Sequence, residues 1–276
     1  MIVEEEKIYQ IIEIAIKAGL EILTYYNIPE LDVKYKQDSS PLTMADTASH
    51  NIIVEALEKI SNYPVLSEES ATVPFADRCD WVEFWLVDPL DGTKEFINKN
   101  GEFTVNIALI AANKVVFGVV YVPVLDSLYV GKDDGAYKLE NASQVLAKVK
   151  DSNEFWAECK KIHVLEKIDC PLKVVASKSH CNSETDNFIK SLKKHYSEIE
   201  KVSCGSSLKL CMVAEGKANI YPRLAPTMEW DTAAAHAVVN AAGGSVKDFH
   251  TKQELSYNKD SLLNPYFIVK DKITIC

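Results

Sequence analysis

With 40 acidic side chains against 30 basic ones in 276 residues, the chain carries a formal net charge of −10. Phosphate polymers and anionic membranes are gripped through clustered Lys and Arg, so this balance argues against a nucleic-acid polymer or membrane surface as partner and leaves small, metal-bridged anions open. A hydrophobic content of 47% suits one large domain or two modest ones sharing an interface. The start Met-Ile-Val-Glu-Glu-Glu-Lys lacks the basic head and apolar core of a secretory signal. The longest apolar stretch, residues 115–124, falls well short of the roughly 20 residues that span a bilayer, so a soluble protein is expected. Seven cysteines at irregular spacings, with no Cys-x-x-Cys pair, fit reduced thiols in a cytosolic protein better than a disulfide framework or a zinc site.

Ile8, Ile11, Ile12, Ala15, Ile16, Leu20 and Leu23 recur at helical spacing and predict a packing helix over 8–23. A second helix is expected over 43–60, burying Ile52, Ile53, Ala56, Leu57 and Ile60 with Asp46 in its first turn. Phe84-Trp85-Leu86-Val87 reads as a strand that stops at Asp88-Pro89-Leu90-Asp91-Gly92, whose Pro and Gly oppose its continuation. Alternation through Phe103, Val105, Ile107 and Leu109, followed by the apolar run 115–122, predicts a β-hairpin. Residues 140–170 are rich in Lys, Glu, Asn and Ser, with a domain boundary expected near their end, and 140–165 read as a surface excursion. That gives an N-terminal α+β domain over 1–168 and a C-terminal α/β domain over 169–276. In the second, strands over 173–177, 199–203 and 218–222 alternate with helices over 184–195, 206–215 and 231–242, the last stopped by Gly243-Gly244.

Four acidic segments stand out: Asp46, Glu68-Glu69, Asp88 with Asp91, and Asp231. Each adjoins an apolar element or a tight turn, where a carboxylate costs free energy unless it is paired or bound to a cation. Few Lys or Arg lie nearby in sequence, which makes a divalent metal the economical partner. Oxygen donors without neighbouring His or Cys favour Mg²⁺ or Mn²⁺ over zinc. Helix capping alone accounts equally well for Asp46 or Asp231 taken singly. The Asp88 to Thr93 turn is more specific. Its two acids, three apart around a Pro, can converge, while Gly92 and Thr93 present backbone N–H groups of the kind that cradle phosphate. A phosphomonoester beside several carboxylates calls for two or more divalent ions.

Asp-Ser-Ser-Pro-Leu-Thr-Met-Ala-Asp (38–46), Leu-Ser-Glu-Glu-Ser (66–70), Trp-Leu-Val-Asp-Pro-Leu-Asp-Gly-Thr-Lys-Glu-Phe (85–96) and Trp-Asp-Thr-Ala-Ala-Ala-His-Ala-Val-Val-Asn-Ala-Ala-Gly-Gly (230–244) together resemble the inositol monophosphatase superfamily in order and spacing. Asn-Gly-Glu-Phe-Thr-Val-Asn-Ile-Ala-Leu-Ile (100–110), Gly-Ser-Ser-Leu-Lys (205–209), Val-Ala-Glu-Gly (213–216) and Tyr-Pro-Arg (221–223) resemble the CysQ-type 3′(2′),5′-bisphosphate nucleotidases within it. The resemblance implies a layered αβαβα sandwich of the inositol monophosphatase / fructose-1,6-bisphosphatase-like type. It further implies Mg²⁺-dependent removal of the 3′-phosphate from adenosine 3′,5′-bisphosphate to give AMP, and conversion of its sulfated relative to adenosine 5′-phosphosulfate. Two or three Mg²⁺ ions, with Mn²⁺ as a substitute and Li⁺ as an inhibitor, would sit on Glu68, Asp88, the Leu90 carbonyl, Asp91 and Asp231.

By the same resemblance, Asp46 and Thr93 would orient the attacking water beside Glu68. Gly92, Thr93, His180, Gly205, Ser206, Lys209, Arg223 and Asp231 would contact the nucleotide, with Lys209 and Arg223 on its 5′-phosphate. The family pattern also implies a monomer or homodimer, cytoplasmic or attached peripherally at the inner membrane if bacterial. Two alternatives remain: an inositol phosphate or sugar bisphosphate phosphatase of the same superfamily, and a non-catalytic, metal-dependent nucleotide sensor. Lys94-Glu95-Phe96 and Tyr221-Pro222-Arg223 lean toward the nucleotide, and Asp46 with Thr93 leans toward catalysis.

Overall fold

The structure, a computed structural model, describes residues 4–28, 34–35, 41–70, 73–167, 170–176 and 182–276. In chain order they form helix α1 (Glu5–Tyr26), the paired short strands β1 (Lys34–Tyr35) and β2 (Pro41–Leu42), helix α2 (Met44–Ile60), and strand β3 (Val65–Ser67) running into a 3-10 turn at Glu68–Ser70. Helix α3 (Phe75–Arg78), strand β4 (Glu83–Asp91) and helix α4 (Thr93–Ile97) follow, then strands β5 (Thr104–Ala111), β6 (Lys114–Val122), β7 (Ser127–Lys132) and β8 (Gly135–Glu140). Helices α5 (Ala142–Leu146) and α6 (Ser152–Glu158) lead to β9 (Lys160–Ile162). The remainder is β10 (Leu172–Ala176), α7 (Ser183–Leu192), β11 (Ile199–Ser203), α8 (Leu208–Ala214), β12 (Ile220–Arg223), α9 (Trp230–Ala241), β13 (Ser245–Asp248) and β14 (Phe267–Lys270).

Strand periodicity of two sorts the apolar side chains between layers. In the sheet ordered β3-β4-β5-β6-β7-β8-β9, Trp85, Val87, Val105, Ile107 and Val119 point to one face and pack with Ile11, Ile12 and Ala15 of α1 and Ile53 and Leu57 of α2. Phe84, Leu86, Ala108, Ile110 and Val120 point to the other, against Leu210 and Val213 of α8 and Ala234 and Val238 of α9. The same cluster takes Val175, Tyr221, Val246, Phe267 and Val269 from the second sheet, ordered β11-β10-β12-β14-β13, so α8 and α9 lie between the sheets. That sheet's outer face, with Leu172, Val174, Ile220 and Ile268, is covered by Ile189 and Leu192 of α7. The result is the expected αβαβα sandwich. The proposed domain boundary at 168/169 falls between the sheets, on residues outside the described set, and one hydrophobic cluster draws on both sides of it.

Helix α9 can approach the first sheet closely because Gly118 of β6 and Gly131 of β7 are cross-strand partners. A Cβ at Gly118 would lie 2.3 Å from the Ala234 carbonyl oxygen, and one at Gly131 would lie 2.5 Å from the Ala237 carbonyl. The helix answers with Ala233, Ala234, Ala235 and Ala237, all buried. Among the described residues no helix is long and apolar enough to cross a membrane.

Several expectations need correction. Leu20 belongs to the apolar stripe by spacing, yet it is 44% exposed, because α1 rotates it past the edge of the sheet it covers. Strand β4 does not stop at Val87 but continues through Pro89 to Asp91. Pairing with β3 ends at Val87, so no partner on that side calls for the N–H that Pro89 lacks, while the register to β5 shifts between Asp88 and Asp91. Segment 140–165 is no surface excursion. Phe155 is fully buried, edge-on to Tyr9 of α1 at 5.5 Å, and β9 adds a strand to the first sheet. Strands β13 and β14 went unanticipated; Phe267-Ile268-Val269 was too short a run to distinguish from a loop.

Candidate active site

Asp46, Asp88, Asp91 and Asp231 are each held by a backbone donor. Asp46 is the N3 residue of α2, one oxygen accepting the Thr43 N–H at 2.8 Å and the Thr43 hydroxyl at 2.6 Å. Capping and site membership therefore coincide here. On β4, Asp88 accepts the Leu90 N–H at 3.0 Å, a bond that the bulge around Pro89 makes possible. Asp91 accepts the Ser207 N–H at 2.6 Å from the turn before α8. Asp231, in the first turn of α9, accepts the Met228 N–H at 2.8 Å.

These elements converge. Asp88, Asp91 and Asp231 bring carboxylate oxygens within 4.8 Å of one another. Glu68 stands outside that trio on its Asp88 side, sharing a side-chain hydrogen bond with Asp88. Burial, reinforced by Glu68, Asp91 and Asp231, pushes the Asp88 carboxyl well above the usual carboxylate range. Burial and then Asp231 do the same to Asp91, against the counter-effect of Lys209 and the Ser207 N–H. Asp46 is raised to about 6, by burial first, with the Thr43 hydrogen bonds opposing the shift. A cluster in which burial and neighbouring carboxylates outweigh the few groups that ease ionisation is suited to an external positive charge.

On the same edge, the Thr93 hydroxyl at the start of α4 donates to the second Asp46 oxygen at 3.2 Å and lies 3.5 Å from the Leu90 carbonyl. Gly92, at φ +94°, makes the turn from β4 into α4; a Cβ there would meet the Ser206 Cβ at 3.2 Å. Ser49, one helical turn after Asp46, donates to the Pro89 carbonyl at 2.8 Å and ties α2 to the bulge.

A cleft of about 280 Å³ opens from Asp91 and Asp231 and runs past Thr93, Ser206, Lys209 and Arg223. Lys209 is buried, its Nζ 5.9 Å from the Tyr221 ring centre. Arg223 donates through Nη2 to the Pro226 carbonyl at 2.8 Å, while its Nε is buried without a hydrogen-bond partner among the described residues. A guanidinium lining a cleft is a directional anion contact. Gly205 lets the Ser206 turn pack against Glu95 and Glu102; a Cβ would fall 2.7 Å from the Glu102 carbonyl. His180 lies outside the described residues.

The sequence matches the inositol monophosphatase family over residues 4–273. The chain belongs to that family. Among its relatives, the proteins named 3′(2′),5′-bisphosphate nucleotidase CysQ from Shigella flexneri and Escherichia coli K12 are each 43% identical over 263 residues, covering 94% of this chain and 98% of theirs. The crystal structure of CysQ from Bacteroides thetaiotaomicron, titled a bacterial member of the inositol monophosphatase family, is 44% identical with a TM-score of 0.87 and covers 99% of this chain and 100% of that one. The suppressor protein SuhB from Bartonella henselae shares the fold at 24% identity and a TM-score of 0.73.

Within this inositol monophosphatase frame, sequence reasoning missed Ser207, whose N–H holds Asp91, and Glu95, Thr227 and Phe267, which line the cleft. Ser207 sat in the quoted Gly-Ser-Ser-Leu-Lys motif, but a backbone donor leaves no trace in residue type. Thr227 and Phe267 come from loops and a strand far apart in the chain, brought together only by the second sheet.

Proposed function

We propose that the chain is a metal-dependent phosphatase that removes the 3′-phosphate of a 3′,5′-bisphosphorylated nucleoside such as adenosine 3′,5′-bisphosphate, giving AMP and phosphate. One observation carries the reading: a single cleft is lined both by Asp91 and Asp231 of the acidic trio and by Lys209, Arg223 and Ser206. A substrate with two phosphates fits it, one ester at the acids and one anion at the cations. The names of the relatives at 43% identity over nearly the whole chain support the same substrate class.

The donor set fits a hard divalent cation. Its members are all oxygen, they are mutually repulsive, and no His or Cys joins them among the described residues. Asp88, Asp91 and Asp231 would hold one Mg²⁺, and Glu68, Asp88 and the Leu90 carbonyl would extend the site to a second. When bound, the ions would supply Lewis acidity toward the phosphoryl oxygens and compensate the leaving alkoxide.

The chain's own residues orient the nucleophile. Because the Thr93 hydroxyl spends its proton on Asp46, its oxygen lone pairs face outward and accept a hydrogen bond from water. As water attacks phosphorus, its proton passes to Thr93 Oγ1 while the Thr93 proton moves to Asp46. Asp46's raised affinity for a proton, at about 6, suits that role near neutral pH. Neither a covalent phosphoenzyme nor a nucleophilic Ser or Cys is needed. Lys209 and the Arg223 guanidinium would bind the 5′-phosphate, with the Ser206 hydroxyl beside them.

The test is steady-state phosphate release from adenosine 3′,5′-bisphosphate and from inositol 1-phosphate, each with Mg²⁺ and with chelator. A preference for the bisphosphate that vanishes without Mg²⁺ is expected. Preference for the inositol ester, or binding of the nucleotide without release of phosphate, overturns the assignment.

A further inference from the structure

Beneath the cleft lies a closed ring of side-chain hydrogen bonds that the chemistry above does not use. Asn106 Nδ2 donates to Thr104 Oγ1 at 3.1 Å, and Ser207 Oγ donates to Asn106 Oδ1 at 2.8 Å. Thr104 Oγ1 and Ser207 Oγ are 2.8 Å apart. With the Ser207 proton committed to Asn106, Thr104 is the donor of that third bond, and the ring runs in one direction with each member donating once and accepting once. Thr104 is fully buried, and Asn106 and Ser207 are each 1% exposed. So small a polar ring, cut off from water, is stable only when every bond is made, which gives it one geometry.

Its position matters more than its burial. On β5, Thr104 stands opposite Asp91 and Asn106 opposite Asp88 in the register with β4. The third member, Ser207, belongs to the turn before α8, and its own N–H is the 2.6 Å donor to Asp91. Ser206, on one side of it, has φ +40°, lines the cleft, and donates its hydroxyl to the Glu102 carbonyl at 2.8 Å. Lys209, two residues on the other side, lines the same cleft. The turn that would feel a 5′-phosphate thus reaches a metal-ligating carboxylate through a single peptide, and the ring fixes that peptide to the strand that sets the register of both ligands.

We infer that Thr104, Asn106 and Ser207 are positioning residues that couple the 5′-phosphate pocket to metal binding at Asp91. An anion held by Ser206 and Lys209 adds stability to the 205–209 turn in the arrangement that keeps the Ser207 N–H on Asp91, and so favours the Asp91 geometry that leaves its other oxygen for the cation. Linkage makes the effect mutual: Mg²⁺ tightens the nucleotide as much as the nucleotide tightens Mg²⁺. Substrates without a 5′-phosphate would then be disfavoured twice, through a lost contact and through weaker metal binding. The inference rests on the bisphosphate reading of the cleft.

The experiment is calorimetric titration of Mg²⁺ into the protein with and without AMP, which carries the 5′-phosphate and no 3′-ester. In the unsubstituted protein AMP should tighten Mg²⁺ by about fivefold or more, the lower end of common coupling strengths. Thr104→Val keeps the shape but breaks the ring, and Ser207→Ala removes its centre. Each should bring the AMP effect below about twofold and narrow the kcat/KM preference for adenosine 3′,5′-bisphosphate over 3′-AMP, whereas Thr104→Ser, which keeps the hydroxyl, should retain both. A purely structural ring would lower Tm in the variants and leave the AMP effect intact; that result, or an unsubstituted protein whose Mg²⁺ affinity ignores AMP, overturns the coupling. If the unsubstituted protein fails to hydrolyse the bisphosphate at all, the substrate reading is what falls.

Discussion

Gly118→Ala tests whether the seat of helix α9 governs the chemistry. The added Cβ would come within 2.3 Å of the Ala234 carbonyl oxygen and 2.8 Å of its Cα, about 1 Å inside ordinary contact. Both obstacles are backbone, so no side-chain rotation relieves the clash; the helix or the β6 strand must move by roughly that amount. Overpacking of this kind costs about 1–3 kcal/mol, against which the reduced freedom of the unfolded chain returns about 0.4–1 kcal/mol. Asp231 lies three residues before Ala234, about 4.5 Å along the helix, so most of the shift reaches its carboxylate. Displacing a reacting group by about 1 Å costs on the order of 100-fold in rate. The expected outcome is a Tm several degrees lower and kcat on adenosine 3′,5′-bisphosphate down by roughly two orders of magnitude. Gly131→Ala strikes the same helix at Ala237, about 9 Å from Asp231 along the axis, and should cost similar stability with a smaller loss of kcat. Full activity in Gly118→Ala, or a larger loss in Gly131→Ala, would refute the argument.

Three further outcomes are expected. Asp91→Asn should lower kcat by about 100-fold or more, since even outer residues of metal sites are worth 10–100-fold, while the metal-free protein melts at the same or a higher temperature because repulsion with Asp88 and Asp231 is relieved. Asp46 binds its proton more tightly folded than unfolded, at about 6 against an ordinary 3.8, so the metal-free protein should lose stability as pH rises from about 4 to about 6, by up to about 3 kcal/mol. Urea unfolding in chelator across that range should show the slope, and Asp46→Asn should make it shallower, with Asp88 and Asp91, also raised, supplying what remains. Lys209→Ala should raise KM for the bisphosphate by roughly 10- to 100-fold, the worth of a charge-assisted hydrogen bond, and spare 3′-AMP; equal loss on both would remove Lys209 from the 5′-phosphate pocket.

What the sequence disclosed and what it hid follow from the range of the interactions involved. Helix α2 and its Asp46 were legible because Thr43 and Asp46 form a cap within four residues, and the hairpin of β5 and β6 because alternation is local. Periodicity could not reveal that β4 passes through Pro89: that depends on β3 ending at Val87, a fact of pairing rather than of composition. The charged segment 140–165 was misread for a similar reason, since one buried Phe155 against Tyr9 outweighs the many exposed lysines and glutamates that dominate its composition. The acidic residues themselves were recognisable by type and motif. Their support was not, because the donors that hold Asp46, Asp88, Asp91 and Asp231 are main-chain amides of Thr43, Leu90, Ser207 and Met228.

Those amides also explain how a repulsive cluster can be preformed. A carboxylate fixed only by a cation would swing away when the cation leaves, and each round of binding would then bear the entropy of reordering it. Here Asp46, Asp88, Asp91 and Asp231 each have one oxygen docked on a backbone N–H, from the cap of α2, the β4 bulge, the turn braced by Thr104 and Asn106, and the segment leading into α9. The cost that remains is electrostatic, visible in the upward shifts of Asp46, Asp88 and Asp91. A divalent ion removes that cost without any rearrangement of the scaffold. Rigid placement with uncompensated charge therefore predicts tight, proton-releasing metal binding.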